Sequence, residues 1–264
     1  MILGVADHTS LKMPLHEFLT FASELKVEAV ELRADKLELL SILEDSSRGR
    51  AKIKELLETY GFKRFVHAPS IGVNLASLNP TLREASEKVV MESVRFAAEI
   101  EGDLLVVHVG RLSKDYPQEF LGKAVNNAIN SLKKINSFSR DLGVTLTIEN
   151  DHKAGDYVLA GHAGQILSLI ENIKCKLTFD IGHANTFGKP EEAADLLKEH
   201  IVNIHLHDND GRKDSHLPLG KGNINFEETI GKIGCHANLS LICECHSLKA
   251  IEESLGFIRR KLLH

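Results

Sequence analysis

The sequence predicts a single-domain (β/α)8 barrel, an α/β TIM barrel spanning residues 1–264, and three observations lead there. Short β-branched or apolar runs alternate with longer amphipathic runs along the whole chain. Eight short runs stand at 2–6, 29–32, 64–67, 104–109, 144–149, 177–180, 202–207 and 239–244. Over 264 residues each strand–helix unit averages about 33, the usual size for barrel closure.

Each element has its own signal. The chain opens on Met1-Ile2-Leu3-Gly4-Val5, a strand-like run. The fourth strand reads Leu104-Leu105-Val106-Val107, apolar on both faces, as a parallel strand covered by helices requires. Before it, 82–100 reads as a helix carrying Val89, Val90, Val94, Phe96 and Ala97. Pro117 opens another helix, and Pro190 a third with Glu191 and Glu192 in its first turn. The longest non-helical stretch, 208–225, follows the seventh strand; a loop of that length in a compact domain is usually functional. No linker, repeat or composition break divides the chain.

The bulk properties narrow the function classes. Apolar residues make up 43% and charged residues 26%, the profile of a soluble globular protein. No apolar run approaches the ~20 residues of a membrane span, and the N-terminus lacks the basic segment of a signal peptide. Cys175, Cys235, Cys243 and Cys245 form neither a CxxC pair nor a disulfide framework, so reduced thiols in a cytoplasmic protein are expected. The net charge of −5, with no Trp and three Tyr, argues against a generic nucleic-acid binder. A homo-oligomer is compatible with all of this.

The chemistry lies in how the strands end. The third ends in His67, the fourth in His108, the fifth in Glu149, the sixth in Asp180 followed by His183, the seventh in His205 and His207, and the eighth in Glu244. All converge on the carboxyl-terminal face of a barrel, where catalytic groups are placed. The long loop adds Asp214 and His216. Imidazoles and carboxylates suit Zn²⁺ or Mn²⁺, and a shared cation removes the cost of burying the carboxylates.

Each residue also has a plainer explanation. One histidine at a strand end is usually a hydrogen-bonded structural residue. Glu149 or Asp180 alone could cap the following helix, and the cysteines flanking Glu244 read as small buried residues. Six consecutive strands with ligand-type endings outweigh these explanations taken singly. Asp7, His8, Glu31 and Arg33 also end early strands, but caps and surface ion pairs account for them equally well. His16, His152, His162, His200, His236, His246 and His264 have no such context and read as surface or cap residues.

Taken together, the motifs resemble the xylose-isomerase-like barrel superfamily of sugar isomerases, sugar epimerases and endonuclease IV. The carriers are His67-Ala68-Pro69 with Asn74-Leu75-Ala76-Ser77, Val107-His108-Val109-Gly110, Ile148-Glu149-Asn150, Phe179-Asp180-Ile181-Gly182-His183, Ile204-His205-Leu206-His207-Asp208-Asn209, Asp214-Ser215-His216 and Glu244. The resemblance implies a divalent ion, Mn²⁺ or Zn²⁺, on Glu149, Asp180, His205 and Glu244. In the epimerase branch Glu149 and Glu244 also move a proton between sugar carbons. In the nuclease branch His67, His108, His183, Asp214 and His216 complete a nine-ligand site for three Zn²⁺ ions.

The first expectation is therefore a metal-dependent sugar or sugar-phosphate isomerase or epimerase. Glu149 and Glu244 would be the acid/base pair, with His183 on a substrate hydroxyl or a second metal. His207, on the same side of its strand as His205, is a candidate substrate contact. Arg212, Lys213 and Lys221 are candidate phosphate ligands in the loop. The alternative is an abasic-site endonuclease, with a nucleic-acid partner and phosphodiester hydrolysis by clustered zinc.

Overall fold

The computed structural model describes residues 1–36, 39, 47–234 and 236–263. Cys235 and His264 lie outside the described residues. Eight parallel strands, β1 (Ile2–Asp7), β2 (Ala29–Arg33), β3 (Lys63–His67), β4 (Leu104–His108), β5 (Thr145–Glu149), β6 (Lys176–Asp180), β7 (Ile201–Leu206) and β8 (Ser240–Cys243), pair in chain order. The β1–β8 pairing, with Ile2 opposite Ser240 and Val5 opposite Cys243, closes the barrel. All eight expected strands are present, with ends moved by a residue or two.

The described helices α1 (Leu15–Glu24), α2 (Ser47–Tyr60), α3 (Pro80–Glu99), α4 (Leu121–Asp141), α5 (Ala163–Ile173), α6 (Ile181–Asn185), α7 (Pro190–Leu197), α8 (Phe226–Ile233) and α9 (Leu248–Lys261) fill the connections. Helix α3 starts where Asn79 caps Thr81 and Leu82, with Pro80 in the first turn, and buries Val90, Val94, Phe96 and Ala97. Pro117 introduces a short 3-10 turn, Gln118–Phe120, rather than α4 itself. Pro190 opens α7 as expected. None of the described helices is long and apolar enough to cross a membrane.

Strand alternation divides each strand between two environments. One parity, including Leu3, Val5, Val30, Leu32, Val66, Leu105, Val107, Ile148, Phe179, Ile204, Leu206 and Leu241, packs with the helices in the main core. The other parity fills the barrel. Its lower layers are apolar, with Ile2, Ala6, Ala29, Phe65, Leu104, Val106 and Ile242. Above them runs a polar belt. Thr147 and Thr178 hydroxyls meet at 2.7 Å, Ser240 Oγ donates to Asn203 Oδ1 at 2.7 Å, and Asn203 Nδ2 reaches Thr178 Oγ1 at 3.3 Å. Further along the same parity come Glu149, Asp180 and His205, two residues beyond Thr147, Thr178 and Asn203, and His67, His108 and Glu244, two beyond Phe65, Val106 and Ile242. The period of two thus places every strand-end candidate inside the barrel mouth.

Gly4 belongs to the inward set of β1. A Cβ there would stand 2.5 Å from Ile242 Cδ1 and 2.8 Å from the Ala29 carbonyl oxygen. Backbone and a packed core side chain cannot both retreat, so Gly4→Val is expected to destabilise the fold by about 1–3 kcal/mol. For a chain of this size that lowers Tm by roughly 2–4 °C per kcal/mol, readable by calorimetry; an unchanged Tm would contradict the layered packing.

Candidate metal centre

Strand β6 shows how local structure builds the site. Asp180 ends the strand and caps α6, its Oδ1 accepting the His183 backbone N–H at 2.6 Å. Asn150, just beyond β5, clamps the same residue, donating to the Asp180 carbonyl and accepting its N–H, both at 2.8 Å. One helical turn later His183 donates Nδ1–H to the Asn150 carbonyl at 2.8 Å. The plain capping role of Asp180 is therefore real, and it coexists with the site: Oδ2 stands 3.9 Å from His205 Nδ1.

At the centre His205 Nδ1 lies 2.9 Å from Glu149 Oε1 and 3.1 Å from Glu244 Oε2. Glu149 Oε2 is also 3.0 Å from both His67 Nε2 and His108 Nε2. Glu149, Asp180, His205 and Glu244 are all buried, with ligand atoms within 4.8 Å of one another. Three further groups satisfy the same limit: His67 and His108 with Glu149; His183 and His207 with Asp214 and His216; and His183 again with Asp151 and His152, which the strand-end pattern did not include. The nine expected residues thus come together in three contiguous groups, the first two sharing Glu149.

The long loop delivers the third group. Asp208 and Leu217 form an antiparallel bridge, and the Asp208 carboxylate accepts the N–H groups of Asn209, Gly220 and Gly222, each at 2.9 Å. That knot folds Asp214 and His216 back over the barrel. Asp214 Oδ2 lies 3.1 Å from His216 Nε2 and 3.3 Å from His183 Nε2. His216 holds a left-handed backbone, φ +46°, uncommon for a residue other than glycine, and donates Nδ1–H to the Glu244 carbonyl at 2.7 Å. Its ring stacks on His207 at 3.8 Å and on His246 at 4.2 Å.

The same knot corrects one expectation. Arg212 and Lys221 do not enter the pocket. The Arg212 side chain is 89% exposed and lies beside Asp210, while Lys221 is exposed. With Asp208 gathering the loop's backbone donors inward, the basic side chains are left facing water. His207 does enter, with Nε2 3.1 Å from Asp180 Oδ1 and the ring lying against Gly182, where a Cβ would be 2.0 Å from His207 Cε1.

The structure also brings in groups that the strand-end pattern missed. The mouth is a cavity of about 400 Å³ whose lining includes Arg33, Ser70, Asn74, Arg111, Asp151 and His152. Arg33 Nη1 donates to Glu244 Oε1 at 2.5 Å, and Arg111 Nε to Asp151 Oδ2 at 2.7 Å. His152 Nδ1 is 3.6 Å from Asp214 Oδ2. In the Glu149-Asn150-Asp151-His152 run it stands three residues beyond the end of β5. His162 does sit at a helix start, before α5. Cys175, Cys243 and Cys245 are buried free thiols.

The donor set fits a divalent cation. His67, His183 and His216 each donate Nδ1–H to a backbone carbonyl, at 2.8, 2.8 and 2.7 Å, which leaves Nε2 as the inward acceptor. Asp214 Oδ1 is buried without a hydrogen-bond partner. Burial opposes ionisation of Glu149, yet His108 and His205 more than offset it and hold its carboxyl well below the usual range. For Glu244 burial is outweighed in the same way by Arg33 and His205. Nitrogen and oxygen donors in this proportion suit Zn²⁺ or Mn²⁺ better than a soft-thiolate metal.

A sequence model described as the xylose isomerase-like TIM barrel matches residues 19–261. Two uncharacterized proteins of Methanocaldococcus jannaschii are similar to the chain. MJ1614 is 34% identical over 230 residues, 86% of this chain and 85% of that one. MJ1311 is 32% identical over 187 residues, 69% of this chain and 63% of its own length. The probable endonuclease 4 of Aquifex aeolicus is 30% identical over 193 residues, 66% of each chain. The match thus spans less than two thirds of the last two proteins. Among solved structures, a D-tagatose 3-epimerase-like protein superposes with a TM-score of 0.89 at 27% identity, covering 100% of this chain and 97% of that one.

Charge in the cluster makes stability depend on pH. Burial lowers the His216 pKa, but Asp214 and Glu244 prevail and push it up to about 9 from 6.5. In metal-free protein its contribution is complete below about pH 6.5 and is lost as pH rises through about 9. Burial lowers His8 to about 3 and His246 to about 4, so stability falls on the acid side as the unfolded histidines charge below 6.5. Chelator-treated protein should therefore be most stable near pH 6.5, with Tm falling toward pH 9 and recovering there on adding Zn²⁺ or Mn²⁺. A Tm that keeps rising from pH 6.5 to 9 under chelation would contradict this arrangement.

Proposed function

The chain belongs to the xylose isomerase-like TIM barrel family, and on that premise we propose that it is a divalent-metal-dependent sugar isomerase or epimerase. The observation that carries this reading is the convergence of Glu149 and Glu244 on His205 Nδ1, beneath a cavity of about 400 Å³, a size suited to a monosaccharide. The likeness to a D-tagatose 3-epimerase-like protein along the whole chain supports it.

Glu149, Asp180, His205 and Glu244 would hold the ion. When bound there, a divalent cation polarises oxygens beside the reacting carbon and acidifies its hydrogen. The protein's own groups then divide the proton work. Arg33 occupies Glu244 Oε1 and keeps that carboxylate ionised, which leaves Oε2 as the oxygen that would take a proton from carbon. Glu149 approaches from β5, three places round the barrel from β8, with His108 Nε2 at its Oε2 as the proton donor for the return step. His183 and His207 line the adjoining wall and would hold substrate hydroxyls. Arg33 and Arg111 are both already matched by carboxylates, which favours an uncharged sugar over a sugar phosphate.

A second reading, phosphodiester hydrolysis at an abasic site, is favoured by one specific observation. His67, His108, His183, Asp214 and His216 assemble around the four-residue core, and the chain is similar to a probable endonuclease 4. Nine ligands in three groups suit three zinc ions.

Elemental analysis separates the two readings, since one ion per chain favours proton transfer and three favour hydrolysis. Incubation of ketoses in D₂O is expected to exchange a carbon-bound proton. Glu149→Gln should slow that exchange by about 10²–10⁴-fold, and full exchange in the variant would overturn the assignment. Incision of a duplex with one abasic site, alongside no exchange with any ketose, would select the hydrolytic reading.

A further inference from the structure

Glu31 lies on the inward parity of β2, fully buried, two residues beyond Ala29 and level with the polar belt. Its Oε2 stands 3.0 Å from His205 Nε2 and 3.4 Å from Asn203 Nδ2, while Oε1 is buried with no hydrogen-bond partner. A carboxylate held with one oxygen unmatched is costly. Packing alone does not call for it; an amide or an aliphatic side chain would fill the space without that cost.

We propose that Glu31 is a positioning residue, which fixes the tautomer and orientation of His205 so that Nδ1 is presented bare to Glu149, Asp180 and Glu244. The inference rests on the metal-dependent reading above. An imidazole has two nitrogens, and the bond made by one decides what the other can do. A carboxylate only accepts, so the nitrogen facing Glu31 carries a proton; Nδ1 faces the carboxylates of Glu149 and Glu244, and a cation shared with them would then take the lone pair of Nδ1. Without Glu31, His205 is free to place its proton on Nδ1 and donate it to Glu149 at 2.9 Å or Glu244 at 3.1 Å, closing that nitrogen to a metal. His67, His183 and His216 spend their outer N–H groups on backbone carbonyls. In contrast, His205 uses a charged acceptor, which raises the basicity of its inner nitrogen. Asn203 steadies the arrangement from below through Ser240 and Thr178.

Glu31→Gln keeps the shape and removes the charge and the obligatory acceptor. Zn²⁺ titrated against a chromophoric chelator is expected to bind about 10–100-fold more weakly at one ion position in the variant. Its Tm under chelation should match or exceed that of the wild type. A folded variant with unchanged zinc affinity would overturn the proposal. Failure of the wild-type protein to bind zinc or manganese would instead overturn the metal-dependent reading. Should the variant not fold, ¹⁵N spectra of zinc-loaded wild-type protein decide: a proton on Nε2 of His205 with Nδ1 ligated supports the proposal, and the reverse pattern sinks it.

Discussion

Three carboxylates and one imidazole meet inside a closed sheet, and most of what is distinctive in the molecule exists to make that tolerable. Glu149, Asp180 and Glu244 are each at most 2% exposed, so water cannot screen them. Buried like charges a few ångströms apart repel strongly. Cationic and hydrogen-bond donors therefore crowd round them: Arg33 on Glu244, His108 on Glu149, and the His183 backbone N–H of α6 on Asp180. The cost falls on stability, and the result is a set of donors preorganised for a cation.

Strand periodicity meets this constraint economically. The inward parity changes character with height, from apolar Ile2, Phe65 and Ile242, through Thr147, Thr178 and Asn203, to the charged mouth. The polar belt lets buried charge sit above hydrocarbon without a bare boundary, since its hydroxyls and amide satisfy one another and reach Glu31 from below. Sliding any strand by one residue would turn its ligand toward the helices and an apolar side chain into the mouth. The register is therefore enforced twice, by the outer core and by the site.

The same periodicity explains what was legible in the sequence. Eight strands could be placed because apolar runs on both faces are unmistakable, and His67, His108, Glu149, Asp180, His183, His205 and Glu244 because they end those runs or follow them closely, whereas Asp214 and His216 stood out only through the length of their loop. His152 was passed over because it stands beyond a strand end, where nothing local says the chain turns inward. Glu31 and Arg33 were visible but ambiguous, since one charge at a strand end looks the same whether it pairs on the surface or in a barrel. Arg212 and Lys221 misled for a different reason. They lie in a loop folded by Asp208, which collects backbone N–H groups up to sixteen residues away, and composition carries no trace of such a knot.

The nine-residue assembly and the four-residue core need not be alternatives. The core is wholly buried, whereas His108 and Asp214 in the outer groups retain side-chain exposures of 20% and 14%. Outer groups open to the cavity can bind an ion or a substrate hydroxyl with the same nitrogen and oxygen atoms, because both partners are recognised through lone pairs or N–H groups of imidazole and carboxylate. What differs is charge. Each added divalent ion shifts the mouth by two units toward attracting anions such as phosphate, while a single ion leaves the surrounding carboxylates to favour neutral polyols. Occupancy of the outer groups is thus the physical variable that separates proton transfer on a sugar from hydrolysis of a phosphodiester on one and the same scaffold.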